Sequence, residues 1–148
     1  MALPSVTLAQ SIAFGGIANA PDAPVEITAD ALSLNQEAGT AQFNGNVVIG
    51  QGTLRLSAAR VDVFYKAGAQ EIDRMEATGG VTLVNGEDAA EARRADYNLS
   101  KQQLIMRGDV LVTQGPNALM AEEMILNLET GQAQMQGRVR TILNASQN

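Results

Sequence analysis

The sequence predicts an all-β domain built from short antiparallel strands. Three observations lead there: a strand-like unit centred on glycine recurs along the chain, apolar and polar residues alternate inside each unit, and turn-forming residues separate the runs. No segment carries a sustained helical period with caps.

In chain order, residues 1–10 read as the remainder of a signal peptide, with Thr7 and Ala9 as the small residues of a cleavage site ahead of Gln10. One domain is expected over residues 11–143, followed by a loose polar tail over 144–148. Inside the domain two lines of similarity repeat. The first opens each unit at Ala29, Ala58, Ala92 and Ala121 and runs on into alternating apolar residues, such as Leu32 and Leu34, Val61 and Val63, Tyr97 and Leu99, or Met124, Leu126 and Leu128. The second is apolar-x-Gly-x-Val, found at Phe43 to Val47, Ala77 to Val81, Met106 to Val110 and Met135 to Val139. Both lines have a period of about 29 residues. A single short insertion around Lys66 to Glu71 accounts for the one longer interval in each, and this agreement argues against chance.

Alternation places Phe43, Gly45, Val47 and Ile49 on one face, and likewise Met75, Ala77, Gly79, Val81 and Leu83. The same holds for Leu104, Met106, Gly108, Val110 and Val112, and for Ala133, Met135, Gly137 and Val139. Glycine inside a strand marks a bend, a bulge or a close backbone approach, and a bend repeated on one face is expected to curl the sheet. Turns are expected around Asn35 to Gly39, Gly50 to Gly52, Lys66 to Gly68, Asn85 and Gly86, Ser100 to Gln102, Gly115 to Asn117, and Glu129 to Gly131. The reading is of about four units, each of roughly four short strands, around an apolar inside.

Composition narrows the function classes. The 148 residues are 45% hydrophobic but only 3% aromatic, so Val, Leu, Ile, Met and Ala must fill the interior. Met75, Met106, Met124 and Met135 fall in the apolar register, and methionine adapts to irregular apolar shapes, whether as core or as a binding surface. The net charge of −6 and the scattered Lys and Arg residues give no basic surface for nucleic acid. With no Cys and no His, the chain lacks disulfides, thiolate nucleophiles, the common zinc ligands and the usual general base. No metal, cofactor or catalytic residue is expected. Nor is any run near the ~20 apolar residues of a membrane-spanning helix.

Other signals read as structural. Gly50-Gln51-Gly52 begins like a dinucleotide-binding loop but lacks the third glycine and precedes a strand. Asn98-Leu99-Ser100 and Asn144-Ala145-Ser146 match a glycosylation acceptor pattern that is common by chance. Asp62, Asp73, Asp96 and Asp109 occupy outward or turn positions. The neighbours Glu122 and Glu123 are expected on opposite strand faces, which leaves no carboxylate pair for glycoside cleavage.

In Ser11-Ile12-Ala13-Phe14-Gly15, in Pro24-Val25-Glu26-Ile27-Thr28-Ala29-Asp30-Ala31-Leu32-Ser33-Leu34-Asn35, and in the Gly45 and Gly108 units, the chain resembles the OstA-like periplasmic lipopolysaccharide-transport family. The likeness runs from Ser11 to Leu143 and is greatest to the family's soluble bridge member. It implies an open, twisted, V-shaped β-jellyroll of about 16 short antiparallel strands. It also implies an apolar groove that shields lipid A acyl chains while lipopolysaccharide passes through the periplasm from the inner to the outer membrane. Its partners would be further copies, joined head to tail, and the jellyroll domains of the inner-membrane and outer-membrane components. The expected lipid-facing residues are Phe43, Val47, Leu54, Leu56, Val61, Val63, Met75, Val81, Leu83, Leu99, Leu104, Met106, Val110, Met124, Leu126, Met135 and Val139. The expected oligomer edges are Ile12, Ala13, Phe14 and Gly15 at one end, with Arg138, Val139, Arg140, Thr141 and Ile142 at the opposite end. The competing reading is a repeat-built parallel β-solenoid, either an adhesin-like structural module or a carboxylate-dependent polysaccharide-cleaving enzyme.

Overall fold

The computed structural model describes residues 10–13, 23–67 and 71–144. They form eleven strands: β1 (Gln10–Ala13), β2 (Val25–Thr28), β3 (Ala31–Asn35), β4 (Thr40–Gln51), β5 (Leu54–Tyr65), β6 (Ile72–Asn85), β7 (Asp88–Asn98), β8 (Gln103–Gln114), β9 (Asn117–Asn127), β10 (Gln132–Gln136) and β11 (Arg140–Ile142). The sheet runs β1-β10-β9-β8-β7-β6-β5-β4-β2, with β3 also on β4 and β11 also on β9. Every pairing among these strands is antiparallel, which overturns the parallel solenoid. The two ends of the path do not meet, so the sheet stays open and does not curl into a barrel.

Strands β4 through β9 are long, and each slips register near its middle: at Asn44/Val47, Ser57/Arg60, Thr78/Val81, Glu91/Arg94 and Arg107/Val110 along successive pairs. These slips are β-bulges, and a bulge bends its strand. The repeated glycines sit on them. Gly79 and Gly80 have φ of +85° and +87°, backbone that L side chains rarely adopt. The other line of the repeat lies against this one. A Cβ on Gly79 would stand 2.6 Å from the Ala59 Cβ, and Cβ atoms on Gly45, Gly108 and Gly137 would collide with Asp30, Arg93 and Glu122. Asp30, Ala59, Arg93 and Glu122 are the residues that directly follow the repeat alanines. The two sequence registers are therefore the two sides of one strand crossing, used four times. Hydrogen bonds of 2.9 Å from the amides of Asp30 and Glu122 to the carbonyls of Gly45 and Gly137 close the first and last crossings. Asn46 to Asp30, Asp109 to Arg93 and Arg138 to Glu122 add side-chain contacts.

Each long strand thus consists of two limbs. The expected 16 short strands become eleven because most limbs stay continuous through their bulges. One layer holds β3, β10 and the limbs around Phe43, Val63, Met75, Tyr97, Leu104 and Leu126. The other holds β2, β11 and the limbs around Ile49, Leu56, Leu83, Ala90, Val112 and Leu119. The bulge line joins the layers, turns mark their free ends, and their inner faces share one hydrophobic core.

Three expectations change. The bulge glycines do not share the inward face: Gly79 and Gly137 are exposed, because the extra residue rotates them outward. The same slip shifts inward parity between Ala121 and Met124, so Glu122 and Glu123 both face outward instead of opposite ways. Finally, β1 pairs with β10, Ile12 opposite Ala133, so Ile12 and Ala13 lie at the same end of the sheet as Arg140, Thr141 and Ile142. Phe14 and Gly15 lie outside the described residues, as do the expected signal remnant over 1–9 and most of the expected tail.

Candidate functional site

The space between the layers is the candidate site. Of the expected lipid-facing residues, Val47, Leu54, Leu56, Val61, Val63, Met75, Val81, Leu83, Leu104, Met106, Val110, Met124, Leu126 and Met135 are buried there together. Phe43 and Leu99 are partly buried against them. Val139 is not part of the set: it lies between β10 and β11, 36% exposed, because the last bulge ends the alternation that would have turned it inward. The interlayer also contains residues absent from the expected set, among them Ile49, Ala90, Tyr97, Val112, Leu119 and Leu128. Ile49 and Val112 were in phase with their expected neighbours. Tyr97 and Leu128 belong to the alanine line, whose inward parity changes at the bulge.

The interlayer is packed. Its cavity, lined by Ile49, Leu54 and Leu56 from one layer and by Met75, Leu104 and Leu128 from the other, has a volume of about 20 Å³. That is room for about one water molecule and far too little for an acyl chain. Any long apolar guest has to part the layers. Aliphatic side chains suit such parting, since Leu, Val and Met contacts are non-directional and can be replaced by methylene contacts.

Very little polarity enters this space. Among the described residues the buried polar side chains are Gln51 and Asn85, to which the phenol of Tyr97 adds its hydroxyl. The Tyr97 hydroxyl donates to Gln51 Oε1 at 2.6 Å, and Gln51 Nε2 donates to the Ala23 carbonyl at 3.0 Å. This joins β7 in one layer to β4 in the other, although the two strands are not neighbours in the sheet. Burial pushes the Tyr97 phenol above its ordinary pKa, and the hydrogen bond with Gln51 opposes that shift. Near one turn, Thr53 donates to Asn85 Oδ1 at 2.6 Å.

Charge is kept to the outer faces. Across the layer that carries Met106, Arg74 contacts Glu76, Arg94 contacts Asp96 at 2.8 Å, and Arg107 contacts both Asp96 and Glu123 at 3.0 Å. The hydrogen bond and charge of Asp96 raise the pKa of the Arg94 guanidinium. Asp62 joins the same face through Arg60 at 3.1 Å. The carboxylates that a hydrolase would need are thus neutralised by arginines on the outside of the sheet.

Comparisons with known proteins agree with this architecture. A family model described as LptA/(LptD N-terminal domain) LPS transport protein matches residues 26–132. An uncharacterised protein of Rhizobium meliloti (strain 1021) is 32% identical over 153 residues, covering 95% of this chain and 82% of its own length. The lipopolysaccharide export system protein LptA of Escherichia coli (strain K12) is 26% identical over 157 residues, covering 99% of this chain and 85% of its own. Among solved structures, LptH of Pseudomonas aeruginosa, described as the LptA-homologous periplasmic component of the lipopolysaccharide transport device, superposes with a TM-score of 0.73 at 15% identity. That superposition covers 84% of this chain and 97% of LptH, and establishes the shared fold. With an open antiparallel jellyroll, an aliphatic interlayer and a family match across most of its length, the chain belongs to the LptA/LptD N-terminal domain family of lipopolysaccharide transport proteins.

Proposed function

We propose that this protein is a periplasmic carrier and bridge: it holds the acyl chains of lipid A between its two layers and conveys lipopolysaccharide from the inner to the outer membrane without catalysing a reaction. The observation that carries the reading is the interlayer itself, a continuous aliphatic surface supplied by nearly every strand and free of charged side chains among the described residues. Burial of each guest methylene contributes about 0.8 kcal/mol, so several chains bind without a charged hook. The signal-like residues 1–10 support export ahead of a single domain over 11–143.

Copies join head to tail by strand addition, and each end docks on the jellyroll domain of a membrane component. The free edge of β2 and β3 supports this. All of β3 is exposed, and Leu32 and Leu34, in register with Phe43 and Ala41, are 52% and 66% exposed. An open edge that extends an apolar face invites another strand. The receiving edge is the β10–β11 end, where β1 already sits. Removal of residues from Thr141 onward, with folding checked by circular dichroism, is expected to shift light scattering towards monomer; unchanged assembly refutes the edge assignment.

The groove is tested by photo-crosslinking. A probe replacing Met106, fully buried between the layers, is expected to capture lipopolysaccharide, while one at Asp109, whose side chain is 77% exposed, is not. Equal capture at the two positions overturns the interlayer site.

A further inference from the structure

We propose that Tyr97 and Gln51 form a polar subsite at the mouth of the groove, which binds the ester or amide linkage at the head of an acyl chain and thereby fixes the direction in which the chain lies. The proposal rests on the groove reading above and adds to it a specificity that a purely apolar interlayer lacks.

The position is set by the fold. Tyr97 is the penultimate residue of β7 and Gln51 the last of β4, so both stand at the turn ends of their limbs, far from the bulge line that joins the layers. Their 2.6 Å hydrogen bond crosses the interlayer where parting must begin. The small cavity between the layers lies against the same two side chains. Chemically the pair is an exchangeable clasp. In the closed protein the phenol donates to the amide oxygen, and each group is satisfied. Once the layers part around an acyl chain, a phenol donor and an amide acceptor face an apolar guest, and a buried polar group without a partner is costly. Along an acyl chain the sole polar group is the linkage at its head. An ester or amide carbonyl accepts from the Tyr97 hydroxyl, and an amide N–H can donate to Gln51 Oε1. The linkage therefore rests at the turn end and the tail runs inward towards the bulges. Because Gln51 also donates to the Ala23 carbonyl, the clasp is tied to the segment that leads into β2.

The test uses two probes of equal chain length, an N-acyl amide and the corresponding dialkyl ether, titrated into wild type, Tyr97→Phe and Gln51→Met. Wild type is expected to prefer the amide by about three- to tenfold, the worth of one hydrogen bond. In both variants that preference falls towards unity, while ether binding is unchanged or tighter because the clasp is gone. A second readout needs no variant protein for binding: with ¹³Cζ-labelled tyrosine, assigned by the loss of one signal in Tyr97→Phe, the Tyr97 resonance shifts with the amide more than with the ether. Equal amide preference in wild type and both variants, or equal resonance shifts with both probes, overturns the subsite while leaving the groove intact. Binding of neither probe overturns the groove reading and the subsite with it.

Discussion

Replacing Gly79 with alanine tests why a glycine recurs in this fold. Two costs are separable because Gly79 and Gly80 are adjacent and have nearly the same φ, +85° and +87°. Alanine at either position pays for left-handed backbone, about 1–2 kcal/mol. Only at Gly79 does the new methyl meet something: the Ala59 Cβ at 2.6 Å, whereas a methyl at Gly80 has nothing within 4 Å. Ala59 is short and stiff, so the crossing strand itself must shift, an overpacking cost of about 1–3 kcal/mol. Gly80→Ala is therefore expected to lose about 1–2 kcal/mol, and Gly79→Ala about 2–5 kcal/mol, by adding these two effects. Urea unfolding reads the difference directly, since a slope of about 1–3 kcal/mol per molar turns such a loss into a clear midpoint shift. Adding Ala59→Gly to Gly79→Ala removes the opposing methyl and should recover much of the extra loss. Equal losses at the two glycines, with no recovery in the double variant, refute the close approach as the reason for the repeat.

Other predictions follow from burial and charge. Met106→Ala, at a fully buried position, is expected to cost about 2–5 kcal/mol in urea unfolding, while Val139→Ala, 36% exposed, stays within about 0.5 kcal/mol. Arg107→Ala removes contacts to Asp96 and Glu123, but its side chain is 48% exposed, so the loss is expected to be under about 1 kcal/mol and to shrink in high salt. The raised phenol pKa of Tyr97 means that the folded state holds its proton more tightly than the unfolded chain does. Its contribution is fully present below the ordinary tyrosine pKa of about 10 and is lost as pH rises through the folded value. Urea midpoints measured at rising alkaline pH should fall more steeply for wild type than for Tyr97→Phe.

Much of the fold was legible because its period is short and its chemistry local. Every expected turn that falls on described residues became a connection between strands, since Gly, Asn and Pro there answer to backbone geometry alone. The inward set was readable on β4, β6, β8 and β10, where parity survives the bulge: Phe43 with Val47, Met75 with Val81, Met106 with Val110. It was not readable on β5, β7 and β9. There Ala58 and Val61, Ala92 and Ala95, and Ala121 and Met124 are all inward although strict alternation separates them. A bulge is a property of a strand pair, and one strand's sequence does not show which residue its partner will skip. The same limit hid the placement of Glu122 beside Glu123 on one face. The pairing of β1 with β10 joins distant segments and has no local signature. Gln51 was hidden differently: its neighbours Gly50 and Gly52 mark a turn, and the turn reading obscured that it stands in phase with Val47 and Ile49.

The bulge line also bears on how such a core can both fold and yield. All the ladder pairs run within a layer, from limb to neighbouring limb, so parting the layers breaks none of them. What opposes opening is side-chain contact across the interlayer, together with the clasp from Tyr97 to Gln51. An acyl guest replaces aliphatic contact with aliphatic contact, so opening and filling nearly offset each other, at about 0.8 kcal/mol for each methylene exchanged. A core sewn together by hydrogen bonds between layers would release its cargo only by unfolding. One held by exchangeable apolar contact, hinged at glycine bulges, can admit a chain at the turn end and surrender it to the next copy with its sheet intact.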